Sequence, residues 1–193
     1  MRPRASHGLG SVRGFTLLEV VVAIGLVATA AIGVAQLSGL AVAVTAAARD
    51  MTAASLLASA KAEQLLALQW AYTTDVSGAL VPVSDSTTDL SVVPASAGGP
   101  GVSVSPPGTL FANRPPYVDY LDASGTWVGT GTAPPPGSRY VRRWAIVHGP
   151  GDLLVVQVMV TTVAVERRIA GTRPSGRLPG EAWVIAARAR VGP

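Results

Sequence analysis

Hydrophobic and polar positions are unevenly distributed along the 193 residues of this chain. The basic residues Arg2, Arg4 and Arg13 precede the stretch Gly14-Phe15-Thr16-Leu17-Leu18-Glu19, and residues 20–48 then carry no charge at all. An uncharged run of that length exceeds the roughly 20 residues a helix needs to cross a bilayer, and predicts a membrane-spanning helix. From Arg49 and Asp50 onward the pattern changes without a breaker. Ala54, Leu57, Ala58, Ala62, Leu65, Leu68 and Tyr72 recur at spacings of three and four, which draws one apolar stripe along an amphipathic helix. A helix continuous over residues 15–72 would measure about 87 Å at 1.5 Å per residue. Lys61, Glu63 and Gln64 fall off that stripe and are expected on a solvated face.

Residues 73–138 read differently. Gly98-Gly99-Pro100-Gly101, Pro106-Pro107-Gly108, Pro115-Pro116 and Pro134-Pro135-Pro136-Gly137 interrupt short β-prone pieces at 80–83, 90–93 and 117–121. Such frequent proline and glycine forbid long regular elements. The expectation is a partly ordered, variable connecting region with a hairpin around Ser124 and Gly125. Residues 139–193 are more regular. Strands are expected at 140–147, 153–165 and 182–189, with a turn at His148-Gly149-Pro150-Gly151-Asp152 and a Gly/Pro/Arg-rich loop at 171–180. Three strands with short links suggest an antiparallel meander lying across the helix stripe. On the last strand Trp183, Ile185 and Ala187 face one side, and Val184, Ala186 and Arg188 the other. The fold class is α+β. Its parts are a basic leader (1–14), a membrane helix (15–45), its amphipathic continuation (46–72), the connecting region (73–138) and the meander (139–193).

Composition changes this picture in three places. The mean hydropathy is +0.41 and only 13% of residues are charged; one long apolar segment attached to a soluble domain of roughly 120 residues, large enough for a modest core, accounts for both. The net charge of +4 hints at nucleic acid, yet three of the fifteen basic residues sit in the leader, leaving twelve against eleven acids. The basic signal therefore belongs mostly to targeting. There is no cysteine, which excludes disulfides, thiolate metal sites, a cysteine nucleophile and a lipidated cysteine.

Glu19 is the anomaly of the apolar segment, because an unpaired carboxylate deep in hydrocarbon costs about 2.5 to 3.5 kcal/mol on insertion scales. A secretory signal peptide cut near Ala41-Val42-Ala43 is one alternative, although its apolar region would be unusually long. An uncleaved signal anchor with Glu19 at headgroup level is another. In either membrane reading, Arg2, Arg4 and Arg13 hold the N-terminus in the cytoplasm and send the residues beyond about 45 across.

Arg13-Gly14-Phe15-Thr16-Leu17-Leu18-Glu19, followed by the uncharged run, resembles the N-terminus of a type IV prepilin or type II secretion pseudopilin. The resemblance covers residues 11 to about 70 and weakens beyond. It implies a pilin-like fold, cleavage between Gly14 and Phe15 by a prepilin peptidase of the membrane, and N-methylation of the new Phe15 terminus. It further implies that Glu19, one turn along the helix, pairs with the N-terminus of a neighbouring subunit during filament assembly. Other pilin or pseudopilin subunits, an inner-membrane assembly platform and its cytoplasmic ATPase are the implied partners, and the inner membrane is the implied location, with a surface or periplasmic filament after assembly. The small residues Ala23, Gly25, Ala28, Ala30, Ala31, Gly33, Ala35, Gly39, Ala41 and Ala43 suit close helix packing in lipid. Gln36 stands where a major pilin often has proline, which favours a minor pilin or minor pseudopilin.

Catalytic constellations are missing from the pattern. His7 lies in the leader and His148 in an expected turn, without a second ligand or nucleophile at recognisable spacing. Gly129-Thr130-Gly131 runs into a proline cluster rather than into a helix, so it is no phosphate loop. Neither enzymatic activity nor a cofactor or metal is expected. Arginines at Arg142/Arg143, Arg167/Arg168, Arg173/Arg177 and Arg188/Arg190 could converge into a basic patch. Arg142, Arg143, Arg167 and Arg168 are the candidate contacts to DNA or a partner, and the alternative function is a DNA-binding minor pilin of a DNA-uptake (competence) pilus. Neighbouring residues on a strand point to opposite faces, so the pairs cannot all line one surface, and solvated or locally paired arginines are the default.

Overall fold

In the computed structural model, which describes residues 14–169, 177, 178 and 180–192, a long apolar N-terminal helix is followed by a small antiparallel sheet, an α+β arrangement. Helix α1, Leu17–Ala67, is 51 residues long. The chain divides into two compact units between Thr45 and Ala46. Residues 1–13 of the expected leader and residues 171–176 and 179 of the expected loop, Arg173 among them, lie outside the described residues.

Within the second unit, β1 (Trp70–Thr74) and β2 (Leu80–Ser84) form a hairpin, and β3 (Thr88–Asp89) and β4 (Ser96–Ala97) form a minimal ladder. The main sheet contains β5 (Val118–Leu121), β6 (Trp127–Gly129), β7 (Tyr140–Gly149), β8 (Leu153–Thr162) and β9 (Ala182–Ala189). Its order is β6-β5-β7-β8-β9 and every pairing is antiparallel.

Several expectations are corrected. The helix ends at Ala67 rather than continuing to Tyr72, because Trp70 and Tyr72 enter β1. Residues 90–93 form no strand. Asp85 instead accepts the backbone N–H groups of Thr87 and Thr88 at 2.9 and 3.0 Å, and Asp89 accepts that of Ser91 at 2.7 Å, so local side-chain bonds compete with a ladder. The run expected as one strand over 153–165 stops at Thr162, whose hydroxyl accepts the Val165 N–H and caps helix α2, Val163–Arg168. The sheet has five strands instead of three, since β5 and β6 come from the connecting region, and the boundary at 138 is not a structural one.

The expected hairpin at Ser124 and Gly125 is present and joins β5 to β6. Its turn is duplicated between β1 and β2. Asp122 accepts the N–H and hydroxyl of Ser124 and the N–H of Thr126, and Asp75 does the same for Ser77 and Ala79, all at 2.7 to 2.9 Å. Gly125 and Gly78 follow at φ 83°, where a side chain would be strained. These bonds favour the ionised carboxylate and hold both Asp75 and Asp122 below the usual range, the serine hydroxyl being the first cause in each.

The core lies between the second half of α1 and one face of the sheet. Ala54, Ala58, Ala62 and Leu65 from α1 meet Tyr140, Trp144 and Ile146 of β7 and Leu154, Val156, Val158 and Val160 of β8. Alternation along each strand selects these residues. Alanine at three of the four helix positions lets the helix backbone come close while Trp144 fills the space opposite. Val118, Tyr120 and Val141 form a second, smaller cluster.

Candidate functional site

The N-terminal segment is built from very few interactions, all local. Residues 14–16 are non-helical, and Thr16 starts the helix: its carbonyl accepts the Val20 N–H at 3.2 Å and its hydroxyl accepts the Glu19 N–H at 3.2 Å. Thr16-Leu17-Leu18-Glu19 is therefore the T-x-x-E spacing of a capping box, with Glu19 as the acid in the first helical turn. That signal was present in the sequence. It gives Glu19 a place in the helix start that spacing to Phe15 alone did not disclose. Gly14 and Phe15 stand before this cap, Phe15 being 81% exposed.

Beyond Glu19 the helix shows apolar side chains all round. Val21, Ile24, Leu26, Val27, Ile32, Val34, Leu37 and Val42 are each exposed, and the helix is long and apolar enough to cross a membrane by length and composition. Its hydroxyls are satisfied internally. Thr29 donates to the carbonyls of Gly25 and Leu26, Ser38 to Val34 and Thr45 to Ala41, at 2.8 to 3.1 Å. A hydroxyl bonded one turn back needs no water, which suits hydrocarbon surroundings.

The arginine candidates separate into two kinds. Arg142 and Arg143, expected as contacts for DNA or a partner, are buried and already paired, so that assignment is withdrawn. Arg142 makes a bidentate pair with Asp119 at 2.9 and 2.8 Å and donates to the Leu57 carbonyl at 3.2 Å. Arg143 is 2% exposed and donates to both carboxylate oxygens of Glu166, at 2.8 and 2.9 Å, and to the side-chain oxygen Oδ1 of Asn113 at 2.9 Å. As neighbours on β7 they point to opposite faces, as strand alternation requires. Arg167 and Arg168, at the end of α2, and Arg177 are exposed.

Lys61 also corrects an expectation. It is buried on the helix face that packs on the sheet, because it lies seven residues after Ala54, two turns along. Its ammonium donates to Asp119 at 2.9 Å and to the Leu90 carbonyl, and sits 4.0 Å from the centroid of the Trp144 ring. Burial pulls Lys61 down to about 8, against the attraction of Asp119 and with the help of the Arg142 guanidinium. Asp119 thus stands, fully buried, between two cations.

The remaining arginines close the helix and the hairpin. Arg188 donates to the carbonyls of Leu66 and Leu68, the latter at 2.7 Å, placing a cation on the C-terminal end of α1. Arg190 lies 3.6 Å from the Trp70 ring centroid and donates to the Val83 carbonyl at 2.8 Å. His148 stands at the end of β7, its ring 4.6 Å from that of Trp70 and its Nε2 3.0 Å from the Val102 carbonyl. No family model matches the chain, and no curated protein or solved structure matches it.

Proposed function

We propose that the chain is an accessory, pilin-like structural subunit of a type IV pilus or type II secretion pseudopilus, anchored and assembled through its N-terminal helix. The stretch Arg13-Gly14-Phe15 with Glu19, leading into a helix that is apolar on every side, carries this reading. An apolar helix of this kind must be covered by lipid or by other helices. In the membrane it anchors the subunit; in a filament the same surface packs on neighbouring copies. Gly25, Gly33 and Gly39 leave open space where a side chain would stand, so a second helix has room to approach there.

The proposed sequence of events starts with the leader held in the cytoplasm by its arginines. A prepilin peptidase cuts between Gly14 and Phe15, a junction exposed and outside the helix, where a protease can reach the backbone. The Phe15 amine is methylated, and Glu19 pairs with the terminus of the adjacent subunit, removing two charges that neither could bury alone. An inner-membrane platform and its ATPase drive extension. The second unit, with its sheet, then lies outside the cytoplasm and shapes the contacts to neighbours. The chain performs no catalysis in this scheme. Burial of Arg142 and Arg143 removes half the candidate contacts of the DNA-uptake alternative.

Mass spectrometry of the mature N-terminus tests the proposal. A chain beginning at methylated Phe15 is the expected result. A chain beginning at Met1, or cut near Val44, would overturn it.

A further inference from the structure

Strand β9 ends the main sheet, and the ladder to β8 fixes which of its backbone groups are used. Arg190 donates its N–H to the Asp152 carbonyl at 3.1 Å, one step beyond the pair Leu153 and Ala189. Hydrogen-bonded positions alternate in an antiparallel ladder, so Ala182, Val184, Ala186 and Arg188 turn their N–H and C=O groups toward β8. Trp183, Ile185, Ala187 and Ala189 turn theirs away. Val191, next in that series, confirms the direction, because its carbonyl accepts the Tyr72 N–H at 2.7 Å on the outer edge. From Trp183 to Ala189 no backbone group among the described residues pairs on that edge.

Of the devices that keep free strands apart, β9 carries one, the charge of Arg188 directed inward to the carbonyls of Leu66 and Leu68. The ladder to β8 runs without a bulge, and β9 contains neither proline nor lysine. Ile185 is 66% exposed, and Val147 and Ala187 are exposed beside it on the outer face of the sheet. Among the described residues the row of four N–H and four C=O groups is open, and such a row accepts an extended strand.

We propose that the occupant is β9 of a second copy of this chain, paired antiparallel about a two-fold axis through Ala186. Three observations select it. Among the described residues the open window runs along β9 from Trp183 to Ala189 and ends where Val191 pairs with β1, so it has the length of β9 itself. The two-fold register pairs all four outward-facing residues with one another, Trp183 against Ala189 of the second copy and Ile185 against Ala187, large opposite small. The one charged side chain, Arg188, falls opposite Val184 of the second copy rather than opposite itself, and its guanidinium is directed to the carbonyls of Leu66 and Leu68. The two sheets become one of ten strands. A two-fold pair is closed, so it is a state distinct from an open head-to-tail filament, and it does not depend on the proposed function.

The test uses the full chain in detergent micelles. Light scattering over a concentration series should show a dimer. Ala187→Pro, which removes an N–H unused within the subunit, and Ile185→Lys, at an exposed edge position, should each weaken it about tenfold or more while near-ultraviolet circular dichroism stays unchanged. Because the chain contains no cysteine, Ala186→Cys should give a covalent dimer on mild oxidation, and Val128→Cys on the opposite edge of the sheet should not. A monomeric wild type, a dimer insensitive to both edge variants, or equal cross-linking from the two introduced thiols would overturn the proposal.

Discussion

Asp119→Asn and Lys61→Met act on the same buried cluster with opposite expected results. Asp119 is bonded to two buried cations, Lys61 at 2.9 Å and Arg142 at 2.8 Å, and Asp89 attracts Lys61 without a direct bond, so the bonded cluster holds one more cation than anion. Removing the carboxylate charge leaves both cations buried without the anion that bonds them, a change that costs about 3 to 5 kcal/mol. Removing Lys61 leaves the bidentate Arg142 and Asp119 pair, which is neutral, and methionine keeps most of the volume at the Trp144 ring. The lost bond to the Leu90 carbonyl costs about 1 kcal/mol. Relief of the desolvated ammonium offsets it, so Lys61→Met is expected within about 1 to 2 kcal/mol of wild type. Chemical denaturation of the full chain in detergent, followed by tryptophan fluorescence, measures both. The pH dependence gives an independent check. Lys61 falls from its ordinary 10.5 to about 8 on folding, so between those values the unfolded chain holds more protons and stability rises with pH. The rise approaches about 3 kcal/mol at 1.36 kcal/mol per pH unit. It should be present in wild type and absent in Lys61→Met. Equal destabilisation by the two substitutions, or the same pH profile in both proteins, would refute the assignment of Lys61 as the surplus cation.

Three further outcomes are expected. Glu19→Gln should leave cleavage after Gly14 intact and lower incorporation into filaments, read by comparing the processed fraction with the amount in sheared filaments; normal incorporation would remove the pairing role. Arg188→Ala should cost about 1.5 to 3 kcal/mol, because two carbonyls at the end of α1 lose a charged donor, with faster amide exchange in the last turn of the helix. Arg143→Ala should cost about 2 kcal/mol by removing a buried guanidinium and its bonds to Glu166 and Asn113, whereas Arg167→Ala with Arg168→Ala should stay within about 0.5 kcal/mol, measured by thermal unfolding.

Much of the N-terminal half is determined by sequence alone, because its structure depends on local rules. A charge-free run of residues 20–48 dictates a helix that must be covered by something apolar, and Thr16-Leu17-Leu18-Glu19 dictates where it starts. The Asp-x-Ser-Gly turns are equally local, and the alternation along β9 follows from its period of two. Tertiary structure decides what depends on residues far apart in the chain. Lys61 looks like a surface residue until Asp119, 58 positions later, and Trp144 are brought to it. Arg142 and Arg143 read as a basic pair until β5 and α2 supply their carboxylates. The join of β5 and β6 to the main sheet, and the free edge of β9, are likewise properties of strand order. Charge counts along a sequence cannot distinguish a solvated guanidinium from a buried one, since the anion that settles the matter arrives only with the fold.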